Sequence, residues 1–95
     1  MTKQTHITPI HPGEVLQDEL NELDISQTAL ADHIGVLPKT VNEICRGKRG
    51  ISAEMAMRLS KSLGGSAQFW LNLQTNWELS QLDEREYKDI EPVAA

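Results

Sequence analysis

The stretch from Ser26 to Gly47, SQTALADHIGVLPKTVNEICRG, decides how this chain folds. Ser26 is an N-cap residue by type, its hydroxyl suited to the orphan N–H groups of a first helical turn. Ala29, Leu30 and Ile34 then give an inward stripe for a short helix over 26–34. Gly35 follows where a helix can end in left-handed backbone without steric penalty. Three residues later Pro38 suits the first position of another helix. Val41, Ile44 and Cys45 form the inward stripe of that helix, and Gly47 stops it. Two short helices and a tight glycine turn within about 20 residues have the spacing of a helix-turn-helix. Ala29 and Ala31 are small enough for at least one to lie where the two helices cross closely.

Working outward, Pro12 opens a helix over 12–23, with Glu14 in its first turn and Val15, Leu16, Leu20 and Leu23 as its stripe. On the other side, Gly47-Lys48-Arg49-Gly50 is a basic turn. Ser52 caps a fourth helix, striped by Met55, Ala56, Leu59 and Leu63 and ended by Gly64-Gly65. Ser66 caps a fifth, in which Phe69, Trp70, Leu73, Trp77 and Leu82 recur at helical spacing. No segment alternates as a strand does. The reading is all-α: an N-terminal arm at 1–10, a five-helix domain at 11–82, and a charged, flexible tail at 83–95.

The chain has 95 residues and a net charge of −5, which taken as an average argues against a polyanionic partner. The distribution reverses that argument. Between Val36 and Lys61 lie Lys39, Arg46, Lys48, Arg49, Arg58 and Lys61 against only Glu43 and Glu54, so this span carries +4 and the remainder −9. A basic patch of that kind is either a solvated face or a phosphate-binding surface.

The helix-turn-helix gives the patch a geometry. In such motifs the N-terminal end of the second helix meets base edges in the major groove. Here that end offers Pro38, Lys39, Thr40, Asn42 and Glu43. Lys39 is suited to guanine O6 and N7, Glu43 to cytosine N4, and Thr40 to a thymine methyl or a phosphate. Glu43 is equally an i, i+4 partner for Lys39. Gln27, opening the first helix of the pair, is either a phosphate contact or a plain exposed glutamine. Arg46, Lys48 and Arg49 fit backbone phosphates, which position a protein without reading sequence.

At this point the residues resemble a known family. Ser26-Gln27, Leu30-Ala31, Gly35-Val36, Val41, Ile44 and Gly47-Lys48 are similar to the phage-repressor (XRE-like) helix-turn-helix. His11-Pro12-Gly13-Glu14, the run RGKRGISAEMA at 46–56, Arg58-Leu59, Gly64 and the run FWLNLQ at 69–74 narrow the resemblance to the HigA/VapI antitoxins of bacterial toxin–antitoxin pairs, over roughly residues 8–80. The resemblance implies a homodimer that binds a palindromic operator of double-stranded DNA and represses its own operon. It also implies neutralisation of a HigB-like toxin, a ribosome-dependent mRNA endonuclease. Carried over by position, Gln27, Lys39, Thr40 and Glu43 face DNA, and Lys48 and Arg49 lie at its phosphates. Family members often carry a further arginine or asparagine near the start of the recognition helix, where this chain has Pro38-Lys39-Thr40, so no operator sequence transfers. A solitary regulator without a toxin stays open as the alternative.

Phe69, Trp70, Leu73 and Trp77 are the candidates for a dimer contact. Phe69 and Leu73 read first as core, whereas Trp70 and Trp77 lie seven apart on one face and aromatic anchors are enriched at interfaces. A two-fold dimer would set two recognition helices about 34 Å apart, one turn of DNA. The lone Cys45 reads as a structural thiol, with a redox switch as its alternative, and a single cysteine suits a reducing cytoplasmic compartment. Neither signal-peptide character nor a membrane-spanning apolar run is expected, and the scattered His6, His11, His33 and Cys45 predict no metal and no cofactor. A protein-interaction module that has kept the scaffold without using it on DNA is the rival class, motivated by the −9 outside the patch. An enzyme lacks any phosphate loop, nucleophile elbow or zinc motif.

Overall fold

Side-chain caps set where the helices begin. In the computed structural model, which describes residues 9–94, Ser26, Ser52 and Ser66 accept from the backbone N–H groups of Ala29, Met55 and Phe69 at 3.0–3.1 Å. Each such cap contributes about 1 kcal/mol. His11 Nδ1 does the same for Gly13 N–H at 2.9 Å, a cap the sequence reading did not assign. The resulting helices are α1 (Pro12–Leu23), α2 (Gln27–Ile34), α3 (Pro38–Cys45), α4 (Ala53–Leu63) and α5 (Ala67–Ser80). A short 3-10 turn, Glu84–Tyr87, follows. The expected arm at 1–10 falls, but for Pro9 and Ile10, outside the described residues.

The C-termini close as the glycines suggest. Gly35 takes φ +75° and lets Val36 N–H reach back to the Ala31 carbonyl at 3.0 Å. Gly47 takes φ +74° after α3, where Lys48 N–H reaches the Glu43 carbonyl at 2.8 Å. Both are the six-to-one bond of a Schellman ending.

The core joins all five helices: Leu16 and Leu20 from α1, Leu30, Ala31 and Ile34 from α2, Val41 and Ile44 from α3, Met55, Ala56 and Leu59 from α4, and Trp70 from α5, with Ile51 from the loop between α3 and α4. Ala31 is fully buried in the core, while Ala29, expected inward, is exposed. Leu82, placed provisionally on the fifth stripe, lies beyond the end of α5 and is exposed.

Two close approaches lock the layers. A Cβ at Gly13 would sit 1.8 Å from the Ile44 carbonyl oxygen, so α1 touches the last turn of α3 backbone to backbone. The buried Gln74 of α5 accepts from Ile51 N–H at 2.7 Å and donates to Glu78 Oε2 at 2.9 Å. That bond ties the loop after α3 to α5. Among the described residues, no helix is long and apolar enough to cross a membrane.

α5 corrects the sequence reading. Trp70, expected at a dimer contact, is 2% exposed and packs within the protomer's own core. Phe69, expected first as core, is 47% exposed. The physical reason is Gln74: a polar residue breaks the apolar stripe, yet it lies inward because the Ile51 N–H requires an acceptor there. Trp70 and Gln74 share that inward side, and Phe69 sits about 100° round the helix from Trp70. Leu73 and Trp77 are half-buried, with the Trp77 ring edge-on to His11 at 4.8 Å between centroids.

Candidate nucleic-acid interface

α3 presents a one-sided surface. Val41 and Ile44 face the core, and Cys45 packs half-buried beside them. Burial pushes the Cys45 thiol up, which keeps it protonated at neutral pH and favours its structural reading. Lys39, Asn42, Glu43 and Arg46 recur at the spacing of the opposite face. Lys39, Asn42 and Arg46 are exposed, Glu43 and Thr40 partly so. Among the described helices of the α class, α3 alone begins without a side-chain cap: Leu37 precedes it, and Pro38 brings no N–H of its own. Leu37, Pro38 and Lys39 leave its start exposed to solvent, while the Thr40 N–H is engaged by the Leu37 carbonyl at 2.9 Å.

Glu43 is the electrostatic centre of this face. Arg49 Nε and Nη2 both donate to its Oε1, at 2.9 and 2.8 Å, and Lys39 Nζ stands 3.9 Å from Oε2. The sequence alternative of a Lys39 partner is thus realised, but the nearer cation is Arg49. The hydrogen bond from Arg49 holds the Glu43 carboxyl below the usual carboxylate range. The pair folds Arg49 back over α3, with Lys48 and Arg46 exposed alongside.

Gln27 reaches into the same surface. Asn42 Nδ2 donates to Gln27 Oε1 at 3.0 Å, and Gln27 Nε2 donates to Gln17 Oε1 at 2.7 Å. Gln17 Nε2 in turn donates to Asn21 Oδ1 at 3.0 Å. Gln27 is therefore not a plain exposed glutamine. Gln17 and Asn21, which the sequence reading passed over, carried only a weak signal: two amide residues four apart on α1.

The structure brings together Gln27, Pro38, Lys39, Thr40, Asn42, Glu43, Arg46, Lys48 and Arg49 on the α2–α3 unit and the turn that follows it. Two cations of the 36–61 span, Arg58 and Lys61, lie outside that group. Arg58 Nη1 donates to the Ile34 carbonyl, closing the C-terminus of α2, and its Nη2 stands 3.4 Å from Glu54 Oε2. Lys61 lines a groove with His33, Met57 and Arg58 between α2 and α4. The basic patch at the recognition helix thus comprises Lys39, Arg46, Lys48 and Arg49.

The sequence pattern of the helix-turn-helix family matches residues 16–70. Virulence-associated protein I of Dichelobacter nodosus is 46% identical over 76 residues, covering 79% of this chain and 70% of that protein. Among solved structures, the antitoxin HigA of Pseudomonas aeruginosa with the higBA promoter superposes with a TM-score of 0.82 at 49% identity, covering 90% of this chain and 98% of that one. An addiction-module antidote protein of the HigA family from Coxiella burnetii gives a TM-score of 0.86 at 37% identity, covering 90% and 99%.

Proposed function

The chain belongs to the helix-turn-helix family and, within it, to the HigA/VapI antitoxins, and on that premise we propose that it is a DNA-binding repressor that autoregulates its own operon and neutralises a HigB-like toxin. The observation that carries the DNA-binding part is the open, uncapped start of α3, flanked by exposed Lys39 and Asn42 and bridged to α2 through Gln27. Base contacts are assigned to Lys39, Thr40, Asn42 and Glu43, and phosphate contacts to Gln27, Arg46, Lys48 and Arg49. No catalytic role is assigned to any residue, and the cytoplasm is the compartment proposed.

A two-fold dimer completes the reading, because a palindromic operator needs two copies of α3 about 34 Å apart. Phe69, Leu73 and Trp77 remain as contact candidates, whereas the buried Trp70 is not one. Exposed Leu79 at the end of α5 and Leu82 just beyond it extend the apolar surface available there.

A salt titration of binding to the duplex upstream of the reading frame tests this function. Wild type should bind with steep salt dependence. The Lys48→Ala, Arg49→Ala double variant, removing four phosphate contacts from a dimer, should lower the log–log slope by about 3 to 4. Absence of binding at low salt would instead support the protein-interaction reading that the −9 remainder favours.

A further inference from the structure

The four amides that run from α3 to α1 are joined head to tail. Each side-chain nitrogen donates to the next side-chain oxygen, in the order Asn42, Gln27, Gln17, Asn21. A primary amide has two donors and one carbonyl, so fixing one end of such a row fixes the orientation of every member. Gln17 and Asn21 are four apart on α1 and hold each other within one helix. The row is held against α1 and ends at Asn42.

That polarity decides what Asn42 shows to solvent. One of its N–H groups is spent on Gln27. Its other N–H and its Oδ1 make no hydrogen bond among the described residues, and the residue is exposed on the outer face of α3. One donor beside one acceptor, in the plane of an amide, is the complement of adenine N7 and N6 in the major groove. Without the Gln17 acceptor nothing would hold Gln27 Oε1 toward Asn42, and the plane of the outward pair would no longer be fixed.

We propose that Asn42 is a specificity-determining residue that reads an adenine in each operator half-site, and that Gln17 is a positioning residue that sets the orientation of Asn42 through Gln27. This rests on the operator-binding reading above. Gln17 touches no base. It acts by presenting Oε1 to Gln27 Nε2 at 2.7 Å. Its effect is therefore on discrimination between bases and not on the phosphate-driven part of affinity.

The experiment selects a preferred duplex for wild type from a randomised double-stranded library, then measures binding to every single-base substitution of it. One adenine per half-site should be required, its replacement weakening binding roughly tenfold. Asn42→Ala should abolish that requirement. Gln17→Leu should reduce it sharply while affinity for an unrelated duplex and the thermal midpoint stay near wild type. Gln17→Glu keeps an acceptor for Gln27 and should restore it, the added charge weakening all duplexes alike and cancelling in the ratio. An adenine requirement that survives both Gln17→Leu and Asn42→Ala overturns the inference and leaves operator binding intact. A wild-type protein that selects no duplex overturns both.

Discussion

Gly13→Ala is the change that most directly probes how the recognition helix is held. The new methyl carbon would lie 1.8 Å from the Ile44 carbonyl oxygen, 2.7 Å from the Ile44 carbonyl carbon and 3.0 Å from Cys45 Cα. All three are backbone atoms in the last turn of α3, so no rotamer change relieves the overlap. Restoring van der Waals distance needs α1 and α3 to part by about 1.5 Å, opening the contact that Leu16, Leu20, Val41 and Ile44 fill. Overpacking of side chains costs 1–3 kcal/mol, and a backbone-to-backbone clash belongs at the top of that range, about 3 kcal/mol. Alanine returns up to about 1 kcal/mol by replacing glycine in a helix. The net loss is about 2 kcal/mol, or roughly 8–16 °C in thermal midpoint for a domain of this size. Thermal unfolding followed by circular dichroism measures it, with Gly64→Ala as the comparison. Gly64 has open space around it and φ +93°, so its substitution meets backbone strain alone. A Gly13→Ala protein as stable as wild type, or more so, would show that α1 does not touch α3 in this way.

Two further outcomes are expected. Burial lowers the His11 imidazole below its usual range, with Glu14 opposing, and Nδ1 must be unprotonated to accept from Gly13 N–H. The unfolded chain then binds the proton first, so stability is complete above about pH 6.5 and falls as pH drops from there toward the lowered folded value; the urea midpoint of wild type should fall between pH 7.5 and 5.5 by more than that of His11→Asn, which keeps a capping oxygen that does not titrate in this window. Glu43→Gln removes the acceptor charge that holds Arg49 and Lys39, and should raise affinity for an unrelated duplex at low salt while reducing selectivity, both read by competition binding; unchanged non-specific affinity would place Arg49 away from the phosphates.

What was legible in the sequence was local. Ser26, Ser52 and Ser66 act on N–H groups three residues away, and Gly35 and Gly47 on the turn they occupy. Residue type at such positions nearly determines conformation, and the helix starts and stops followed from it. What was not legible joins distant segments. Asn42 meets Gln27 across 15 residues, Gln74 meets Ile51 across 23, and Arg58 meets Ile34 across 24. Arg58 counted as a patch cation in the sequence, but in the fold it closes α2. Seven-residue spacing and aromatic type pointed Trp70 to the dimer contact, and the apolar stripe pointed Phe69 inward; the fold reverses both and leaves Phe69 a contact candidate. A buried acceptor for one loop N–H decided which side of that helix turned inward.

These distant bonds bear on how an acidic chain can act on DNA at all. With −9 outside the basic span, and Arg58 bound to the Ile34 carbonyl, each protomer brings few free cations to a duplex. Generic phosphate attraction then rests on Lys39, Arg46, Lys48 and Arg49 of each protomer against the acidic remainder, and it is the term that dominates non-specific binding. Specific binding on the proposed reading must draw more on base contacts, which reward only groups already in place, since ordering a loose side chain on binding consumes part of each contact. The fold supplies that order from behind: Gly13 seats α1 against the end of α3, Gln74 ties down the loop that carries Lys48 and Arg49, and the amide row aligns Asn42. Low net charge and stiff presentation thus act together. The first suppresses binding to the many wrong sites of a genome, and the second preserves binding to the right one.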